Sequence, residues 1–186
     1  MSDDAQEASR RIVLLGMMGS GKSSVGEALS RRSGWPFVDN DALVERATGQ
    51  TARELLARSG EAAMRAAEAA ALRTGLSLPA PVIVATAAGT VRDAENRERI
   101  DGSGFVVWLR APAEILAARA VGAEHRPWLD DDPVGWFRNA LDERTGLYRE
   151  VADLEVDTSS THPDATAEEI LAALPGPIPS EHAEPA

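Results

Sequence analysis

Apolar residues in this chain fall into short unbroken runs, set apart by longer stretches of helical period. Ile12-Val13-Leu14-Leu15, Val82-Ile83-Val84-Ala85 and Phe105-Val106-Val107-Trp108-Leu109 contain no polar residue. Runs of this length without polar alternation predict strands covered on both faces, as in a parallel sheet. Pro36-Phe37-Val38 and Leu154-Glu155-Val156-Asp157 predict two shorter strands. Between the runs the spacing becomes helical: Ser24 to Ser33, Ala42 to Ala47, an Ala-rich stretch from a turn at Ser59-Gly60 towards Pro79, Val91 to Ile100, the segment after Pro112, and Trp136 to Val151. Gly34 and Gly49 are natural helix stops, and Pro112 fits a first helical turn, where its missing N–H is harmless. Thr51 with Glu54 and Thr166 with Glu169 read as capping boxes, the second opening a last helix through Ala173. Strands alternating with helices predict an α/β fold: a five-stranded, mainly parallel sheet with helices on both faces.

The turn after the first strand carries chemistry. Gly16-Met17-Met18-Gly19-Ser20-Gly21-Lys22-Ser23 fits G-x-x-x-x-G-K-[ST], and it lies between a predicted strand and a predicted helix, the context this phosphate-binding loop requires. Glycines let backbone N–H groups curl around a triphosphate, and the helix N-terminus adds positive charge. Gly19, Ser20, Gly21, Lys22, Ser23 and Ser24 are therefore candidate nucleotide-binding residues, with Lys22 for the β/γ-phosphates and Ser23 for Mg²⁺. The plain alternative is a glycine-rich turn that binds nothing. Lysine and arginine together number 19, and Lys22 is the one lysine among them. It stands where a compact, flexible ammonium is needed and a planar guanidinium substitutes poorly.

Two more strand ends bring polar groups to the same edge of the sheet, where open α/β folds bind ligands. The second strand delivers Asp39-Asn40-Asp41, whose carboxylates could serve a metal and a substrate or could simply cap the next helix. The third opens into Thr86-Ala87-Ala88-Gly89. Residues 122–133, polar and proline-bearing between two helices, suit a lid.

Bulk properties narrow the partners. A formal charge of −11 disfavours nucleic acid and anionic membranes, since both demand a basic face. The 186 residues suit one domain, expected over 10–174, with a disordered leader at 1–9 and a disordered tail at 175–186. The absence of cysteine fits a reducing compartment, and the acidic N-terminus is no signal peptide, so the expectation is a cytoplasmic monomer acting on a small molecule.

In order along the chain, these motifs resemble the shikimate kinases, a branch of the nucleoside-monophosphate-kinase-like P-loop proteins. The resemblance runs from about Arg11 to Leu174 and rests on the glycine loop, on Phe37-Val38-Asp39-Asn40-Asp41, on Gly60-Glu61 with Arg65 and Glu68, on Arg126-Pro127, on Arg144 with Leu147-Tyr148-Arg149, and on Val156-Asp157-Thr158 with Pro163. It implies an ATP- and Mg²⁺-dependent phosphotransferase. Lys22, Asp41 and Arg126 would be catalytic, with Arg126 closing from the lid. Ser23 and, through water, Asp39 would hold the metal, while Arg119 and Pro163 would flank adenine. Asp41, Arg65, Ala88, Gly89 and Arg144 would bind the acceptor, the two arginines clamping its carboxylate. Each arginine taken alone could equally be a solvated helix-face charge.

One departure from the family pattern stands out. Ala87-Ala88-Gly89 replaces three consecutive glycines, so two added methyl groups would narrow the pocket or strain a backbone that needs positive φ. This leaves open a kinase of another small hydroxylated acid or cyclitol. A nucleotide-binding regulatory module without turnover is the reading from a different class; it has no use for an acceptor clamp.

Overall fold

The computed structural model describes residues 10–121 and 131–175. The expected leader, Arg126, all but the last three residues of the expected lid, and the tail from 176 lie outside the described residues.

The elements are β1 (Arg11–Leu15), α1 (Lys22–Ser33), β2 (Phe37–Asp39), α2 (Asn40–Thr48), α3 (Ala52–Leu76), β3 (Val82–Ala85), a 3₁₀ turn (Thr90–Arg92), α4 (Ala94–Ile100), β4 (Phe105–Arg110), α5 (Ala113–Val121), α6 (Pro133–Val151), β5 (Leu154–Asp157) and α7 (Pro163–Ala173). The strands form one sheet in the order β2-β3-β1-β4-β5, and each pairing is parallel. Every strand therefore ends at the same edge, which gathers the glycine loop, Asp39 and the Ala-Ala-Gly turn.

β1 is central, and its apolar run explains the layers. Side chains alternate faces along a strand. Ile12 and Leu14 join Val25, Leu29 and Ile170 beneath α1 and α7. Val13 and Leu15 join Trp108, Phe137 and Tyr148 beneath α5 and α6. The four positions of this strand that are buried, Ile12 to Leu15, are all apolar, and its one polar residue, Arg11, stands at the partly exposed end.

Several boundaries differ from the sequence expectation, each for a local reason. In α3 the helical path is interrupted at Gly60 (φ 82°, ψ 174°), the turn read from Ser59-Gly60. The helix expected over 91–100 is a 3₁₀ turn followed by α4, because extended Asp93 accepts the Asn96 N–H at 2.9 Å and starts a new helix. Pro112 stands just before α5, its carbonyl accepting from the N–H groups of Ile115 and Leu116. α6 begins at Pro133, before Trp136, with Asp132 accepting the Gly135 N–H at 2.9 Å. The capping box at Thr166 and Glu169 does not form. α7 starts earlier, at Pro163, where a preset φ favours the first helical position, and Thr166 lies buried inside it. No helix among the described residues is long and apolar enough to cross a membrane.

Candidate active site

Gly16, Gly19 and Gly21 adopt φ of 146°, 78° and 94°, the region open mainly to glycine. A Cβ on Gly16 would sit 2.4 Å from the Leu109 carbonyl oxygen, so the loop also packs too closely for a side chain there. Lys22 folds back over the loop, its Nζ donating to the carbonyls of Gly16 (2.9 Å) and Met17 (3.1 Å). Burial pushes its ammonium down to about 8, against the opposing pull of Asp39 and Asp41.

Ser23 Oγ donates to Asp39 Oδ2 at 2.7 Å, while Asp39 Oδ1 accepts the Asp41 N–H at 3.0 Å. One carboxylate thus caps α2 with one oxygen and faces the loop serine with the other. The two sequence readings of Asp39 do not compete. Among the described residues no three acidic or histidine side chains gather as a ready-made metal cage. Ser23 and Asp39 suit Mg²⁺ in its usual kinase setting, where phosphate oxygens and waters supply most ligands.

Arg119 closes the loop's far side. It donates to the Gly19 carbonyl (3.2 Å) and the Thr158 carbonyl (2.7 Å), and Thr158 Oγ1 donates to the Ser20 carbonyl (2.9 Å). The β5 end is thus tied to the glycine loop, and Pro163 lines the same cavity.

At the other end of the cavity two arginines occupy different settings. Arg65 pairs with Glu68 at 2.8 Å and Glu61 at 3.3 Å, and these acids raise its pKa despite burial, which acts to lower it. A Cβ on Gly89 would meet the Arg65 guanidinium at 2.3 Å, so Gly89 is the surface on which that side chain lies. Arg144 is only 6 % exposed and has no carboxylate within ion-pair distance among the described residues. Its guanidinium donates to Met17 Sδ at 3.4 Å and lies 5.9 Å from the Trp136 ring centroid, while its Nε–H has no hydrogen-bond partner. Burial lowers its pKa, as do the neighbouring charges of Arg92 and Arg65, against the opposing pull of Tyr148 and Glu143. A buried guanidinium without a counter-ion is costly to fold and is matched when an anion arrives.

Among the described residues none other than glycine has positive φ, and Gly89 itself is at φ −90°. The strain expected of Ala87-Ala88 is therefore absent. Ala87 is buried, and the Ala88 carbonyl accepts the Tyr148 hydroxyl at 2.8 Å. Replacing both alanines by glycine should leave acceptor KM within about threefold while lowering stability by about 1 kcal/mol, through added freedom in the unfolded chain. Steady-state kinetics and thermal melts check both; a tenfold fall in KM would restore the crowded-pocket reading.

A single cavity of about 1340 Å³ is lined by every candidate residue named from the sequence except Arg126, which lies outside the described residues. It also takes in residues the sequence did not single out for a role: Glu61, Arg92 and Trp136. Met17 and Tyr148 brace it from beneath. Met17 occupies a free position of the loop pattern and Arg92 a stretch read only as helix, so neither carried a signal.

The shikimate kinase family model matches residues 18–175. A shikimate kinase of Paramagnetospirillum magneticum is 42% identical over 166 residues, covering 89% of this chain and 84% of the relative. One of Halorhodospira halophila is 40% identical over 167 residues, covering 89% and 94%. Among solved structures, a shikimate kinase from Acinetobacter baumannii in complex with shikimate superposes with a TM-score of 0.82 at 35% identity, covering 87% of this chain and 90% of that one.

Proposed function

The chain belongs to the shikimate kinase family, and we propose that it transfers the γ-phosphoryl group of ATP to a hydroxyl of shikimate. It is an ATP-dependent phosphotransferase acting on an alcohol group, with Mg²⁺ as its metal. The observation that carries the choice of acceptor is Arg144: a buried cation without a counter-ion, sharing one cavity with the phosphate loop, asks for a carboxylate on the molecule to be phosphorylated.

The geometry of the described residues and the resemblance to the family support the following roles, that of Arg126 resting on the resemblance alone. Backbone N–H groups from Gly19 to Ser24 cradle the phosphates, and Arg119 and Pro163 flank the base. Ser23 and Asp39 hold Mg²⁺, which neutralises charge on the phosphate oxygens. Arg144 and Arg65 take the acceptor's carboxylate, and backbone groups of Ala88 and Gly89 line its ring. Asp41 receives the hydroxyl proton as the oxygen bonds to the γ-phosphorus and the bond to the ADP oxygen breaks. Lys22, and Arg126 from the lid, carry the charge that develops on the transferring group. We take 10–174 as one catalytic domain, working as a cytoplasmic monomer without nucleic-acid or membrane partners.

A coupled ADP-release assay over shikimate, other hydroxylated acids and a neutral cyclitol tests the reading. Mg²⁺-dependent turnover of shikimate is expected; ADP release with a different acceptor and none with shikimate overturns it. Asp41→Asn should keep nucleotide affinity and lower kcat by about 10²-fold, since an amide cannot accept the proton. An unchanged kcat would leave Asp41 a helix-terminal charge only.

A further inference from the structure

We propose that Arg92 is a third acceptor-binding arginine, which draws the carboxylate into the cavity and sets the preference for anionic over neutral acceptors. The proposal rests on the reading of the site given above. Arg92 ends the 3₁₀ turn that follows the Ala-Ala-Gly segment, its N–H bonded to the Gly89 carbonyl at 3.1 Å. Its neighbour Val91 is buried, with its carbonyl accepting from Arg97 at 2.8 Å, and Asp93 caps α4. The backbone under Arg92 is thus fixed, while its side chain is 49% exposed and lines the same cavity as Arg65 and Arg144.

The three arginines are not equivalent. Arg65 is already matched by Glu68 and Glu61, whereas Arg144 has no carboxylate within ion-pair distance among the described residues, Glu68 and Glu143 acting on it only from farther off. Among the described residues Arg92 has a single loose ion pairing, 3.9 Å to the same Glu61 oxygen that faces Arg65. It is also the foremost like charge acting on Arg144, ahead of Arg65. Grouping a third cation beside an unpaired buried one destabilises the empty site, and in a protein of net charge −11 a local cationic cluster is what concentrates an anion at a cleft. Arg92 is the half-exposed member, placed to meet a carboxylate before the buried one does. Glu61 is the carboxylate it leaves.

Arg92→Gln and Arg92→Lys, assayed with shikimate and with its carboxamide, test this. Arg92→Gln should raise KM for shikimate about tenfold, keep kcat within about twofold and leave KM for ATP and for the carboxamide unchanged. Arg92→Lys should recover most of the loss, and kcat/KM for shikimate should depend less on ionic strength in Arg92→Gln than in wild type. Equal changes for both acceptors, a parallel rise in KM for ATP, or no change at all would overturn the role of Arg92. Failure of wild type to use shikimate would instead overturn the reading beneath it.

Discussion

Lys22→Ala should lose on the order of 10³-fold or more in kcat while melting within a few degrees of wild type. The ammonium serves charge that develops on the transferring group, and no other lysine in the chain can stand in. Its contribution to the empty fold is mixed. Two hydrogen bonds to the carbonyls of Gly16 and Met17 stabilise it, but burial of the charge opposes them, which is why its pKa falls from 10.5 to about 8. The sign of the pH effect follows. Below pH 8 folded and unfolded chains both hold the proton and the burial penalty is present in full. Between about 8 and 10.5 the unfolded chain holds more protons than the folded one, so wild type gains stability relative to Lys22→Ala as pH rises. Nucleotide affinity should fall over the lower part of that window, as the cation is lost. Melting curves of both proteins at pH 7 to 10, with titration of a non-hydrolysable ATP analogue, check both trends. Substantial turnover in Lys22→Ala would remove the glycine loop from the chemistry.

Much of the frame was legible because the central strands are buried on both faces, so their sequence can be read without knowing their partners. Ile12 to Leu15 and Val82 to Ala85 appear in the sheet as the apolar runs predicted. The phosphate loop was legible for a different reason: its glycines are dictated by backbone geometry, and three of them do adopt positive φ. The sequence misplaces the start of the last helix: Thr166-x-x-Glu169 reads as its capping box, while the helix begins at Pro163, where the proline's fixed φ favours the first turn. Ala87-Ala88 misled through analogy, since three glycines in relatives need not mean that the backbone has positive φ. Arg92, Met17 and the seat that Gly89 offers Arg65 were not legible at all. Each depends on which side chains meet across elements far apart in the chain, and no periodicity records that.

Arg144→Met should separate stability from function: kcat/KM for shikimate should fall on the order of 10³-fold, because a desolvated carboxylate loses its principal charged partner. The same change should raise the melting temperature of the ligand-free protein by a few degrees. Arg144 is 6 % exposed, packed against Met17 and Trp136, with one guanidinium nitrogen unpartnered and no counter-ion among the described residues. Methionine fills the volume of the arginine stem and suits a pocket already lined by thioether and aromatic groups. It also removes a charge that Arg92 and Arg65 both repel. Shikimate should stabilise wild type in proportion to its binding and leave Arg144→Met nearly unmoved at the same concentration. The carboxamide of shikimate should be a poor acceptor for wild type and scarcely worse for the variant. A variant that melts lower than wild type would mean that Arg144 supports the fold through contacts of its own. One that melts higher yet keeps its kcat/KM would mean that the carboxylate is held elsewhere in the cavity, which Arg65 and Arg92 also line.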